Sequence, residues 1–244
     1  TMPNVRTPIL NFRKDGTRWR LKGHAVEPFY RHLRPWCCYI QSPSALGFSD
    51  HQAELPDPPD YRELHTSAPS TLQQGTLFVT NVGLGEARRV FAMRADKSTQ
   101  RFADACAAVE GKRSIVWCSR NAEEQAFHSE LGGHLVTGTT PIEERVEKID
   151  DFRAGRVRTL VSKPAVLGFG INLPEASDML YSGYTWSFEQ FYQAIRRAHR
   201  FGRQGRLKVH IPITDEERPI WRTLTSKVAT FDTDVARLQG LMWR

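Results

Sequence analysis

A glutamine and three arginines carry the most distinctive chemistry in the stretch SFEQFYQAIRRAHRFGRQ, Ser187 to Gln204. On a helix Gln193, Arg196, Arg197 and Arg200 fall at i, i+3, i+4 and i+7, which predicts three guanidiniums on one patch. Each guanidinium is permanently charged, and its planar fork donates two parallel hydrogen bonds to phosphate oxygens, so the patch suits an anion such as a triphosphate. The same pattern also describes a solvated basic face. Two other groups offer anion chemistry. Gly168-Phe169-Gly170-Ile171-Asn172-Leu173 has two glycines where backbone can approach a phosphate chain or a neighbouring domain, or simply make a tight crossover. Ser162-Lys163 precedes it. Ser119-Arg120-Asn121 suits a backbone phosphate or a helix cap equally well.

These groups need elements to position them. The arginine helix has a second face, Phe188, Phe191, Tyr192, Ile195 and Ala198, an apolar stripe at helical spacing, and Gly202 ends the cationic turn. From Ser114 onward strands are expected at Ile115–Cys118, His134–Thr137, Val157–Val161, Met179–Tyr181 and Lys208–Ile213. Helices are expected between them at Ala122–Leu131, at Pro141–Phe152 with proline in the favoured first position, and from Glu216. This alternation predicts βαβ units and a mostly parallel sheet covered on both faces. Ligands of such sheets gather beyond the carboxyl ends of the strands. Ser119, the Ser162–Asn172 segment and the arginine helix are therefore expected on one rim. Upstream, the pattern predicts a hairpin over residues 9–21, a helix from Val26 to Ile40, loop from Ser42 to Pro59, a strand over Tyr61–His65, and helices at Gly85–Met93 and Lys97–Val109.

Composition bounds the class. The 244 residues are 40% hydrophobic and 25% charged, as in an ordinary globular protein. A net charge of +7 favours a polyanionic partner. No apolar run approaches the roughly 18 residues a membrane span needs, and the opening residues do not read as a secretory signal. Cys37, Cys38, Cys106 and Cys118 lack CxxC spacing and the histidines form no HxH or HExxH pair, so reduced thiols and no metal site are expected. No G-x-x-x-x-G-K-[ST] loop occurs: Lys97-Ser98-Thr99 follows Asp96, and Gly111-Lys112 precedes Arg113.

Taken in order, IVWCSRNAE, VTGTTPIEER with DFRAG, LVSKPAVLGFGINLPEASDMLYSG and QAIRRAHRFGRQ resemble the successive motifs of the second RecA-like lobe of superfamily-two helicases. The likeness is nearest to Snf-type DNA translocases of the bacterial and bacteriophage kind. Q-x-x-x-R-x-x-R-x-G is matched by Gln193, Arg197, Arg200 and Gly202, and Gly-x-Gly-x-Asn-Leu by Gly168, Gly170, Asn172 and Leu173. WRLKGHAVEPFYRHLRPW and SPSALGFSD also resemble the segment after the first lobe in phage-type proteins.

The resemblance implies an α/β fold, a RecA-like parallel sheet sandwiched by helices over residues 71–244, with an N-terminal α+β appendage over 1–70. It implies that Arg197 and Arg200 are arginine fingers for the γ-phosphate of ATP, and that Gln193 couples nucleotide to the interface between lobes. Gly168, Gly170 and Asn172 would line the cleft, and Ser119, Arg120, Ser162 and Lys163 would face the nucleic-acid backbone. ATP with Mg2+ would be held mainly by a first lobe, in cis or in trans, so this chain alone is expected to be inactive. The implied partners are DNA or RNA and that lobe, with no membrane, in the cytoplasm of a bacterial or phage-infected cell. Two departures stand out: Arg196 occupies a position where many helicases have Gly, and Arg203 interposes before Gln204. Asp215-Glu216-Glu217-Arg218 imitates a DExx magnesium box but comes after the arginine motif, the wrong order for the family, and acidic residues at a helix start are explained by the helix dipole. A nucleic-acid or partner-binding module without turnover is the alternative, and a nucleotide-sugar transferase lobe is a third reading that the paired arginines disfavour.

Overall fold

The computed structural model describes residues 12–15, 18–33, 35, 47–49, 56–66, 90–167 and 170–242. The expectations for residues 9–11, 16–17, 34, 36–40, 42–46, 50–55, 67–83 and 85–89, and for Gly168, lie outside them. The chain divides into two compact units, residues 1–53 with 228–244, and residues 54–227. The first holds an antiparallel hairpin of β1 (Phe12–Asp15) and β2 (Arg18–Leu21), in which Phe12 pairs with Leu21 and Asp15 with Arg18. Helix α1 (Val26–Leu33) comes next.

The second unit is built on six strands: β3 (Asp60–His65), β4 (Ser114–Trp117), β5 (His134–Val136), β6 (Thr159–Ser162), β7 (Asp178–Tyr181) and β8 (Lys208–Ile213). Their order across the sheet is β3-β8-β7-β4-β6-β5, and every pairing is parallel. Helices α2 (Gln100–Val109), α3 (Asn121–Leu131), α4 (Ile142–Arg153), α5 (Pro164–Leu167), α6 (Phe188–Ala198) and the part of α7 (Arg218–Met242) before residue 228 accompany them. The expected fold class is therefore present. One placement differs: β3, expected in the N-terminal appendage, pairs along its whole length with β8 as an edge of the main sheet. Pro141 also differs, standing at the cap of α4 with extended backbone rather than inside its first turn.

The central strands β4, β6 and β7 are buried at every position, because helices cover both faces. On one face Val116, Val161 and Leu180 pack with Phe102 and Val109 of α2 and Phe127 of α3, and the rings of Phe102 and Phe127 stack at 4.6 Å. On the other, Tyr181 meets Phe191 of α6 at 5.1 Å, and Phe191 meets Trp221 of α7 at 5.8 Å. Neighbouring residues of one strand thus point to opposite helical covers, as the pleat requires.

Past β7 the chain crosses the end of β4 in direct contact. Gly183 N–H donates to Trp117 C=O at 2.8 Å, and a Cβ on Gly183 would lie 2.2 Å from Cys118 C and Ser119 N. Those neighbours are backbone and have no rotamer through which to give way. Gly183→Ala is expected to lower stability by about 1–3 kcal/mol, the usual effect of overpacking. Thermal denaturation checks this, and an unchanged melting temperature would refute the contact.

Candidate functional site

Helix α6 begins at Ser187, whose hydroxyl accepts the Gln190 N–H at 3.3 Å, and carries Arg196 and Arg197 in its last turn, where cations complement the helix dipole. The apolar stripe is present: Phe191, Ala194, Ile195 and Ala198 are buried, while Phe188 and Tyr192 sit half-buried at its edge. The guanidiniums do not all meet in one patch as the helical spacing suggests: Arg200 is close enough to Arg197 to act on its charge, and Arg196 is turned away. Arg196 turns back to the Tyr192 hydroxyl, donating at 3.0 and 3.1 Å. Arg197, only 8% exposed, donates from Nη2 to Gln193 Oε1 at 2.9 Å and from Nη1 to Ile171 C=O at 3.4 Å. Its buried Nε has no partner. Arg200 is exposed, and its side chain has no hydrogen bond or ion pair among the described residues. Burial and then the like charge of Arg200 push the Arg197 pKa down, so an incoming anion would reverse the electrostatic part and reward the unpaired donor.

The glycine segment meets this helix end. Leu173 N–H donates to Arg197 C=O at 2.8 Å, and Arg153, at the end of α4, donates to Asn172 C=O at 3.0 and 3.3 Å. Gly170 has φ +76 and open space where a side chain would begin, and Asn172 is exposed. Gln193, Arg197 and the 171–173 backbone are thus brought together.

A second group forms at the ends of β4 and β6. Ser119 donates its backbone N–H and its hydroxyl to Glu123 Oε2, at 2.7 and 3.2 Å, so it is engaged in securing the start of α3. Ser162 is fully buried and its hydroxyl donates to Val136 C=O at 2.7 Å, so in this conformation it faces the sheet interior rather than a ligand. Lys163 bridges to Glu124 at 3.1 Å and to the Asn121 amide oxygen. Burial pushes the Glu124 carboxyl up, and Lys163 opposes it. Arg120 is exposed, its guanidinium 5.5 Å from the centre of the Phe91 ring. Arg120 and Lys163 are the cations of this rim.

The two groups do not share a rim, contrary to the sequence expectation. A crossover helix between parallel strands runs back against them, and eleven residues at ~1.5 Å each carry its far end about 16 Å away. The arginine turn accordingly lies where β7 and β3 begin. Arg203 binds Ala176 and Ser177 carbonyls just before β7, and Arg206 donates to Pro58 C=O at 2.7 Å just before β3.

Sequence reading missed a buried charge cluster. Glu217 is 1% exposed and accepts Arg94 Nε at 2.6 Å, Arg101 Nε at 2.7 Å, Arg101 Nη2 at 2.9 Å and Thr214 N–H at 3.0 Å. The arginines also reach the Tyr184 and Ser182 carbonyls. The dipole explanation for Glu217 is therefore replaced by a structural clasp. One signal was available: Arg101 shares an i, i+4, i+8 stripe of α2 with Ala105 and Val109, an inward face where a charge needs a partner. Among the described residues, no group of three or more His, Cys, Asp or Glu could hold a metal ion, and no helix is long and apolar enough to cross a membrane.

Residues 98–202 match the family model described as helicase conserved C-terminal domain. The matched stretch runs from just before α2 to the turn after α6 and takes in four strands of the six-stranded parallel sheet. The chain is 32% identical over 128 residues to the ISWI chromatin-remodeling complex ATPase ISW1 of Saccharomyces cerevisiae, covering 49% of this chain and 11% of that protein. It is 30% identical over 116 residues to the ATP-dependent RNA helicase FAL1 of Kluyveromyces lactis, covering 47% of this chain and 27% of that one. The chain thus spans about a tenth to a quarter of the length of these relatives. The crystal structure of the C-terminal part of the Fun30 ATPase domain superposes with a TM-score of 0.46 at 18% identity, over 60% of this chain and 53% of that one. The likeness extends to a chromatin remodeler and an RNA helicase alike and does not single out bacterial or bacteriophage proteins.

Proposed function

We propose that this chain supplies the C-terminal motor lobe of an ATP-dependent nucleic-acid translocase or helicase of Snf type. Arg197 and Arg200 act on the γ-phosphate of ATP bound by a separate N-terminal lobe. The observation that carries this reading is the pairing of a held arginine with a free one at the end of α6: Arg197 is fixed by Gln193 and Ile171, and Arg200 projects without a partner among the described residues. A guanidinium already oriented loses little entropy when it meets a phosphate, and stabilises charge as it moves to the leaving group. Magnesium would neutralise phosphate charge when bound with ATP, and we assign it and the phosphate loop to the first lobe. Gln193 holds Arg197, which itself reaches the Ile171 carbonyl, so finger position is coupled to the backbone through which closure of the lobes is felt. Gly170 and Asn172 line the cleft beside the fingers, and Gly168 is assigned with them by the motif it shares.

At the opposite rim Arg120 and Lys163, with Ser119 at their base, meet the nucleic-acid backbone. Ser162 serves from inside, securing β5. The separation of the rims is what a motor needs, with nucleotide on one surface and the track on another. Contacts limited to phosphates suit a machine that moves without reading sequence.

ATP hydrolysis by this chain alone, with and without duplex DNA or RNA, is the direct test. We expect no turnover, with nucleic-acid binding that weakens as salt rises. Turnover by the isolated chain would overturn the two-lobe reading. Nucleic-acid binding with no gain of turnover on adding the first lobe would favour instead a binding module, the reading to which the net charge of +7 also points.

A further inference from the structure

We infer that Arg203, the residue that interposes before Gln204, is a positioning residue that fixes the turn presenting Arg200. The inference rests on the reading of Arg200 as a finger.

Arg203 N–H donates to Arg200 C=O at 3.2 Å, and Gly202 between them has φ +84. Residues 200–203 therefore form a tight turn of the kind that needs glycine at its third position. The Arg200 and Phe201 side chains project from it, Phe201 56% exposed. A turn of this size would swing freely if only its helical end were held. Arg203 holds the other end. Its side chain is almost wholly buried, and the guanidinium spans four carbonyls: Gly205 from Nε at 3.0 Å, Ser177 from Nη2 at 3.1 Å, Pro174 from Nη1 at 3.4 Å, and Ala176 also from Nη1. Three of these belong to residues 174–177, the segment that leads into β7. On the helix side of the turn, His199 Nε2 lies 3.1 Å from both the Pro56 and Asp57 carbonyls.

Arg203 is thus a bracket between the turn and the sheet, with Arg200 between two anchored neighbours. Four of its five donors are already engaged and the side chain is buried, so it is not itself offered to a phosphate. A lysine could not replace it: three donors on a flexible stem cannot span carbonyls on two segments in the plane of a fork.

The test is ATPase kinetics on the two-lobed enzyme containing this chain, comparing Arg203→Gln, Arg203→Lys, Arg200→Ala and the Arg200→Ala/Arg203→Gln double variant. Both Arg203 variants are expected to lose about 10- to 100-fold in kcat, the cost of a displaced catalytic group, with KM for ATP little changed and the melting temperature lowered by the lost buried hydrogen bonds. If Arg203 acts through Arg200, Arg203→Gln adds no further loss on the Arg200→Ala background. Wild-type kcat in Arg203→Gln beside an inactive Arg200→Ala, or additive losses in the double variant, would overturn the positioning role and leave the finger reading intact. Full turnover in Arg200→Ala would overturn both. Should Arg203→Gln not fold, Arg203→Lys, which retains the charge, carries the same comparison, with wild-type kcat again the overturning result.

Discussion

Arg200→Ala in the two-lobed enzyme is expected to cut ATP turnover by about 10³–10⁵-fold, the range for removing an arginine finger from phosphoryl transfer. Binding of ATP and of nucleic acid should change little, because the Arg200 side chain makes no hydrogen bond or ion pair among the described residues that its loss would undo. This pattern separates a finger from a structural arginine. A residue that acts only in the transition state lowers kcat and kcat/KM together, whereas one that binds the ground state raises KM. Arg197→Ala offers the contrast. Its guanidinium also supports Ile171 and Gln193, so its loss should disturb the glycine segment as well as turnover. Steady-state kinetics with nucleotide and nucleic-acid binding on the same preparations checks both. Turnover retained in Arg200→Ala would remove the finger assignment.

Glu217→Gln is expected to destabilise the protein by about 3–5 kcal/mol, the effect of breaking a buried ion cluster from one side. Arg94 and Arg101 are 0% and 3% exposed, and no other carboxylate among the described residues is hydrogen-bonded to either. Removing the charge of Glu217 would leave two buried guanidiniums facing carbonyls and a neutral amide, shut off from bulk solvent. The cluster also predicts a pH dependence. Burial alone would push the Glu217 carboxyl up, but Arg101 and Arg94 outweigh it and hold it below the ordinary glutamate range. A carboxyl depressed in the folded state contributes stability above its unfolded pKa and loses that contribution as pH falls through the folded one. Wild-type stability should therefore fall on acidification below the usual glutamate range, and Glu217→Gln should show a flatter profile. Urea denaturation at neutral and acidic pH measures both quantities. A variant within about 1 kcal/mol of wild type would remove the clasp as a determinant of stability.

What was legible in the sequence was local or repetitive. The apolar runs of β4, β6 and β7 and the stripe of Phe191, Ile195 and Ala198 state directly which faces are buried, because burial on both sides of a sheet or one side of a helix imposes its own period. The ordered motifs from Ser119 to Gly202 carried the lobe's likeness, and the conserved-domain match over residues 98–202 covers the same stretch. Spacing could also bring Gln193 next to Arg197, since residues four apart on a helix are neighbours.

Spacing could not say where each arginine points. Arg196, Arg197 and Arg200 share a helical face on paper, yet one turns to Tyr192, one to Ile171 and one outward, because the first two take acceptors that the fold supplies and the helix ends at Ala198, before Arg200. Nor could it separate the two rims, which depends on α6 running back against its strands. The joining of β3 to β8, of Arg94 and Arg101 to Glu217, and of Arg203 to the 174–177 backbone links residues 26 to 148 positions apart. Local sequence determined the elements and the type of chemistry this protein carries. Which charges are buried, which are braced and which remain free was decided only when distant carbonyls and carboxylates were brought within hydrogen-bond reach.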